Sequence, residues 1–430
     1  MAARDGAQEI VMIRLNGYLH RERLGLLIDR WLINRPLPED ARALKRIVNF
    51  NGYAGCLILD AFAHALVSSI HECPVASCAA KTKGELKDFI VRQPPRDSTP
   101  RVDELIARYR RDPDGYFRET PFNGRVYHAS ENGGRYLGSA RVKRFHRIAE
   151  KTSRYLIDHL FYEVKKRAEA LADERAACLG VARAQLRTPV DEQLAEFVRA
   201  EGAVQEMFRS GSFVGTAPSM NVNDVLGVKV VVDGQAGIGR VTEYLERGAG
   251  ASIVDRQTHS GNYNATTLVV RYRWPRDLVL NHTPTGPAMA VLRERGCSCH
   301  IDAEFRAFIE DAEDDVLIEV IVSSYEDMLE SEIGRSMHEE RVLMQRENRQ
   351  YHGSLARNVE YLVDFMFRFC LAPVEDLTEL PIRVWVRYMP DYVDQIQLRL
   401  AGLSSEAEFT QACACGRARS GHFMSSPSTP

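Results

Sequence analysis

Apolar residues along this chain follow two different periods, and the change falls near residue 224. Before it they recur at helical spacing: Arg21 to Leu32 carries Leu24, Leu26, Leu27, Ile28, Trp31 and Leu32 on one broad face. Tyr53 to Ile70 is nearly continuously apolar with small residues, and Pro36 and Pro38 punctuate the interval, so the first hundred or so residues read as helices. Gln93 to Pro100, rich in proline and small polar residues, cannot continue a helix and reads as a linker. A charged helix over Val102 to Arg111 follows, then a Gly-, Asn- and Tyr-rich stretch from Gly124 to Gly138 that reads as loop or short strands. Residues 148–212 are dominated by long polar helices, as in Ser153 to Asp173 and Val190 to Phe208. From Asp224 onward the pattern predicts strands over 225–233, 265–274 and 316–323, alternating with helices over 240–247, 302–311 and 325–349. The aromatic run Tyr361 to Phe369 reads as a core helix in preference to a cofactor box, and no internal repeat is found.

Composition narrows the class without naming it. With 430 residues and 45% hydrophobic content the chain can bury a large core. Lys plus Arg total 56 against 59 Asp plus Glu, so no bulk basic field points to nucleic acid, and any RNA contact would need a local patch. No apolar run reaches the roughly 18 residues that span a bilayer. The Met-Ala-Ala-Arg-Asp start lacks the apolar core of a signal peptide, so a cytoplasmic protein is expected. Nine cysteines, an odd number on a long chain, argue against a secreted disulfide framework. Cys297/Cys299 and Cys413/Cys415 are tighter than the usual zinc spacing, and free thiols are the better reading.

Two carboxylates stand out. Asp224 sits at the mouth of the β-branched run Val225-Leu226-Gly227-Val228-Lys229-Val230-Val231-Val232, and Glu319 interrupts Val316-Leu317-Ile318-Glu319-Val320-Ile321-Val322. Burying such a charge costs on the order of several kcal/mol unless it meets a cation, so two acids on two strands point to one shared metal ion. The competing reading makes Asp224 a turn cap and places Glu319 on a solvated edge strand.

The surrounding motifs resemble the RelA/SpoT-type synthetases. Asp224-x-x-Gly-x-Lys229 is similar to that family's Asp-x-x-Gly-x-Arg strand, and Met328 with Glu332-x-Gly334-x-x-x-His338 to the helix that follows its catalytic Glu. Gly261-Asn262-Tyr263-Asn264 resembles its Asn-Gly-Tyr-Gln segment, with His259 in place of a Lys and Thr267 in place of a His. Arg141, Lys143 and Lys151 fit the family's donor-gripping Arg-x-Lys-(x)3-Ser-(x)3-Lys element, Arg147 replacing the Ser. Ile321 and Ser323 stand where the family has Gln and Arg, which leaves substrate choice open.

The resemblance covers roughly residues 135–350 and implies an α+β fold, a mixed-sheet nucleotidyltransferase-like core flanked by helices, with an N-terminal helical region. The expected organisation is a helical region at 1–95, a linker and small subdomain at 96–134, and the nucleotidyltransferase-like domain at 135–350 with a helical insertion at about 152–212. A helical extension at 351–419 and a disordered tail at 420–430 would follow. The implied activity is magnesium-dependent transfer of pyrophosphate from ATP to a ribose hydroxyl of a guanine or other purine nucleotide. Asp224 and Glu319 would hold magnesium and Glu319 would orient or deprotonate the acceptor hydroxyl. Arg141, Lys143 and Lys151 would clamp donor phosphates, while Tyr263, with His259 and Lys229, would meet the acceptor, and Asp224, Tyr263 and Glu319 would lie on neighbouring strands lining one cleft. Glu332, Gly334 and His338 would support the cleft from behind, Gly334 allowing close approach of the helix to the sheet. Two alternatives remain, pyrophosphorylation of tRNA ends and a non-catalytic nucleotide-binding module. The chain has no His-Asp dipeptide of the hydrolase kind, so alarmone hydrolysis is not expected. The oligomeric state is not indicated.

Overall fold

The computed structural model describes residues 11–386 except 96–97, 131–133, 217–218, 249, 298–299, 336, 348–350, 375 and 378. The expected tail at 420–430, the part of the extension from 387 to 419 and the cysteines Cys299, Cys413 and Cys415 lie outside the described residues.

The fold is α+β, a mixed sheet with flanking helices. Nine strands are described: β1 (Ile13–Leu15), β2 (Val75–Thr82), β3 (Pro121–Ala129), β4 (Tyr136–Val142), β5 (Met220–Val222), β6 (Leu226–Val231), β7 (Ala251–His259), β8 (Ala265–Arg273) and β9 (Asp315–Ser323). Seven of them form one sheet in the order β2-β3-β4-β6-β9-β8-β7, parallel only between β6 and β9, while β1 and β5 pair separately. The three apolar runs predicted as strands became β6, β8 and β9. Their centre-sheet positions follow from β-branched residues that pack on a pleated surface. Most of β3 and the start of β4 fall in the Gly124–Gly138 stretch read as loop or short strands, whereas β1, β2, β5 and β7 were not expected; β2 and β7 are the two edges of the sheet, and β2 carries mostly polar or small residues, as in Val75-Ala76-Ser77-Cys78-Ala79-Ala80. The expectation of an all-helical first hundred residues fails at β2, since edge strands need less apolar patterning than a core strand does.

Alternation assigns the two faces. Leu226, Val228 and Val230 of β6 and Ile318, Val320 and Val322 of β9 are buried in the larger core, which also takes in Leu59, Phe62 and Leu66 of the helix Asp40–His71. That helix lies across β4 and β6 and forms the back of the molecule. It is the one helix among the described residues long and apolar enough to cross a membrane, its best window having mean hydropathy 1.5, where no apolar run of that length was expected. Half of that window is buried within the protein, as in a core helix.

On the front a second core joins Leu86 and Ile90 of the helix Lys83–Arg92, Leu105 and Ile106 of Pro100–Arg111, and Met328 and Leu329 of Tyr325–Ile333. Residues on both sides of the expected boundary at 96 therefore share one core. The predicted helix over 325–349 is broken: Tyr325–Ile333 ends at Gly334 and a new helix, His338–Glu347, begins four residues later. The long helices Phe145–Cys178 and Val190–Ser210 pack on each other, and Ser354–Phe369 packs along the first, with Phe367 and Phe369 in the core.

Candidate active site

The front-facing residues of the central strands line up in two rows across the sheet. Register places Arg141 of β4 beside Gly227 of β6 and Gly227 beside Glu319 of β9. The next row is Ser139, Lys229, Ile321 and Thr267. Gly227 adds no side chain between them: a Cβ at that position would lie 3.9 Å from Glu319 Oε2, in ordinary van der Waals contact. Asp224 lies two residues before β6, so the chain delivers its carboxylate to the rim of the same face.

A cavity of about 270 Å³ collects Arg141, Lys143, Asp224, Lys229, His259, Tyr263, Glu319, Glu332 and His338. A second of about 700 Å³ is lined by Lys143, Lys151, Arg154, Tyr155, Arg346 and Tyr351, and it shares Lys143, Asp224, His338 and Arg341 with the first. Every residue singled out from the sequence except Gly334 borders one or both. Asp224 and Glu319 thus face the same space, which the solvated-edge reading of Glu319 does not accommodate: β9 is central and flanked by β6 and β8.

Several partners differ from expectation. Asp224 Oδ2 accepts a bond from Lys143 Nζ and another from Lys151 Nζ at 2.6 Å, while its buried Oδ1 has no hydrogen-bond partner. Burial, then the Lys151 ammonium, pushes Lys143 down to about 7. Glu319 makes no ion pair or hydrogen bond among the described residues. Lys229, expected at the acceptor, donates to Glu332 Oε1 at 2.6 Å, and Lys83 donates to Glu332 Oε2 at 2.6 Å. Glu332 is 1% exposed. Burial alone would raise its pKa, but the Lys229 and Lys83 ammonium groups outweigh that and hold it well below the usual carboxylate range.

Tyr263 belongs to the loop between β7 and β8, not to a strand as expected, and it is half-buried. Arg341 donates to its hydroxyl at 3.1 Å, with the guanidinium 5.1 Å from the ring centroid. His338 opens its helix beside the cleft. Burial, then Lys83 and Lys229, pushes its pKa down to about 2, so the imidazole is neutral at physiological pH. Gly334 does not serve helix-on-sheet packing as predicted. A Cβ there would meet Glu330 Cα at 2.6 Å, so its small size permits the sharp exit from the preceding helix.

The sequence reading missed Arg341, Arg346 and Lys83. The first two follow His338 on one short helix, and their Arg-x4-Arg spacing near a candidate site residue was the available signal. Lys83 follows the missed strand β2, and nothing local marks it.

Among the described residues no group of three or more His, Cys, Asp or Glu is arranged to hold a metal ion by itself. The donor set matches magnesium bound through one or two carboxylates and completed by water and substrate phosphates. Were such an ion bound here, the partnerless Oδ1 of Asp224 and the unpaired Glu319 would be the two carboxylates to hold it. Comparisons with protein-family models, curated proteins and solved structures find no match to this chain.

Proposed function

We propose that this protein transfers pyrophosphate from ATP to a ribose hydroxyl of a purine nucleotide, in the manner of (p)ppGpp synthetases. The observation that carries the reading is the pair of cavities joined at Asp224, one bearing the donor-motif lysines and the other Glu319 and Tyr263. ATP in the larger cavity would exchange its phosphate oxygens for the Asp224 carboxylate on Lys143 and Lys151, releasing Asp224. Arg341 and Arg346 extend the same cationic wall. In the smaller cavity the acceptor base stacks on Tyr263, and Glu319 takes the proton of the attacking hydroxyl. The hydroxyl oxygen bonds to the β-phosphorus of ATP, the bond from that phosphorus to the α–β bridging oxygen breaks, and AMP leaves. Magnesium held by Asp224 and Glu319 would neutralise charge developing on the transferred group. Neutral His338 and the Lys83–Glu332–Lys229 network position the cleft wall and take no part in proton transfer. Nucleotide substrates of this kind place the reaction in the cytoplasm.

One observation favours a second reading, a nucleotide-binding module without transfer: Ile321 and Ser323 supply no charge where the resembled family has polar groups. Incubation with γ-labelled ATP and either GDP, GTP or bulk tRNA separates the readings and identifies the acceptor. Label is expected on the guanine nucleotide, and Glu319→Gln is expected to lower the rate about 10²- to 10⁴-fold with unchanged nucleotide affinity. Label on tRNA redirects the acceptor assignment. Nucleotide binding with no label on any acceptor overturns the transferase reading.

A further inference from the structure

The helix Val190–Ser210 is apolar on two sides. Its buried residues Glu196, Ala200, Val204 and Phe208 mark the side that meets the helix Phe145–Cys178, where Arg175 pairs with Glu196. Val190, Leu194 and Val198 recur every four residues on another side, Leu194 standing two positions, and so roughly 200° of helical turn, before Glu196. These three are 77%, 61% and 45% exposed. Leu179 and Val181, in the turn that leads to this helix, are exposed as well. Apolar residues scattered singly over a surface need no partner, whereas a stripe at helical spacing is a face shaped for packing. None of the five lines either cavity of the candidate active site.

The chain itself brings an occupant to this face. Val386, the last described residue, is held by Asn358, whose side-chain amide donates to the carbonyls of Val384 at 2.9 Å and Val386 at 2.6 Å. Asn358 lies roughly 6 Å of helix rise from the start of the helix Ser354–Phe369. Just before that start Tyr351 donates to Glu201, and its ring centroid is 6.1 Å from that of Phe197. Phe197 and Glu201 bracket Val198, so the described chain ends close to one end of the exposed stripe.

Residues 387–430 lie outside the described residues. In their sequence Val393, Ile396, Leu400 and Leu403 follow Pro390-Asp391 at the three-four-three spacing of one helical face, and Asp391 is a suitable N-cap. Asp394, Gln395, Gln397 and Arg399 fall between them, with Leu398 the one large apolar residue off that face. The five residues 387–391 can bridge up to about 17 Å. As a helix, the positions from Val393 to Leu403 cover about 15 Å, against about 12 Å from Val198 back to Val190.

We propose that the segment 391–403 docks as an amphipathic helix on the stripe of Val190, Leu194 and Val198, antiparallel to the helix that carries it. The direction follows from the exit point, which lies at the Val198 end. Docking requires no catalysis and no nucleotide, so the proposal goes beyond the transferase reading and stands or falls without it.

The test is amide hydrogen exchange read by mass spectrometry on the full chain, as wild type, Leu194→Asp and Ile396→Asp, each at two protein concentrations and each checked by thermal melting. Leu194 is exposed, so Leu194→Asp is expected to fold. In the wild type the amides of residues 393–403 are expected to exchange about tenfold or more slowly than those of an unfolded chain, whatever the protein concentration. Either substitution should abolish that protection while the amides around the buried Leu160 and Val164 keep theirs. Unprotected amides at 393–403 in the wild type, or protection that Leu194→Asp leaves unchanged, overturns the proposal. So does protection that rises with protein concentration, which would seat the segment on a second copy. A chain that fails to transfer label from ATP yet passes this test loses only the transferase reading.

Discussion

On the back of the central sheet Val228, Val230, Ile318, Val320 and Val322 are buried in the same apolar core as the helix Asp40–His71. On the front the intervening residues of the same strands, Gly227, Lys229, Glu319, Ile321 and Ser323, line the cavity of about 270 Å³. The back is stabilised by non-directional burial, to which each fully buried aliphatic side chain contributes roughly 1.5–3 kcal/mol. The front holds the fully buried charge of Glu332, tolerated because Lys83 and Lys229 contact it, beside the half-buried Glu319, which has no such partner among the described residues. The contrast teaches that one face can be varied in shape at modest cost, whereas the other depends on particular partners.

The largest effect is expected from breaking that partnership. Glu332→Ala leaves the Lys83 and Lys229 ammonium groups facing each other around an empty site and should destabilise the fold by about 3–5 kcal/mol. Leu268→Ala, at a fully buried position on the back of β8, should lose about 2–5 kcal/mol through its cavity. Urea midpoints compare the two, and Lys83→Met added to Glu332→Leu sharpens the comparison. Charge removal on both sides should recover much of the front-face loss, while no second substitution of this kind rescues Leu268→Ala. A Glu332→Ala variant as stable as wild type would show that the network contributes nothing.

A smaller effect is expected at Tyr263, which sits in a loop and so contributes little to the core. Tyr263→Ala should weaken acceptor binding about 5- to 150-fold, from a stacking contact of roughly 1–3 kcal/mol, with little change in melting temperature. Tyr263→Phe, which loses only the Arg341 hydrogen bond, should bind nearly as well as wild type. A large drop in melting temperature with affinity unchanged in the folded fraction would make Tyr263 a packing residue.

A further effect, absent near neutral pH, concerns acid. Folding depresses the His338 pKa from 6.5 to about 2, so below about pH 6.5 the unfolded chain takes a proton that the folded chain refuses. Its contribution to stability is complete above pH 6.5 and is lost as pH falls toward 2. His71, near the back face, is pushed down to about 4 by burial and then by Arg135, and loses its share between pH 6.5 and 4. Between pH 6 and 4.5, His338→Gln should reduce the slope of unfolding free energy against pH by about 1.4 kcal/mol per unit, leaving the His71 share in place. An unchanged slope would mean that His338 is accessible to protons in the folded state.

The central strands were legible because their apolar runs are long and β-branched, and Asp224 and Glu319 were legible because a carboxylate at the mouth or centre of such a run demands a reason. The Arg-x-Lys spacing of Arg141 and Lys143 likewise survives in any register, since alternate residues of a strand end share a face. What the chain order could not tell was which charges meet. Lys83 and Glu332 lie 249 positions apart, and Lys143 and Asp224 lie 81 apart. Periodicity reports only which way a side chain faces within its own element, and nothing local distinguishes a phosphate-binding lysine from one committed to a carboxylate. Gly334 was expected to let its helix approach the sheet, whereas what crowds it is Glu330 at the end of its own helix, which depends on where that helix stops. The sequence by itself determined the elements at the centre of the sheet and the chemistry available on its front. Only the tertiary structure decided the pairings, because burial makes a charge's energy depend on neighbours that the fold brings from elsewhere in the chain.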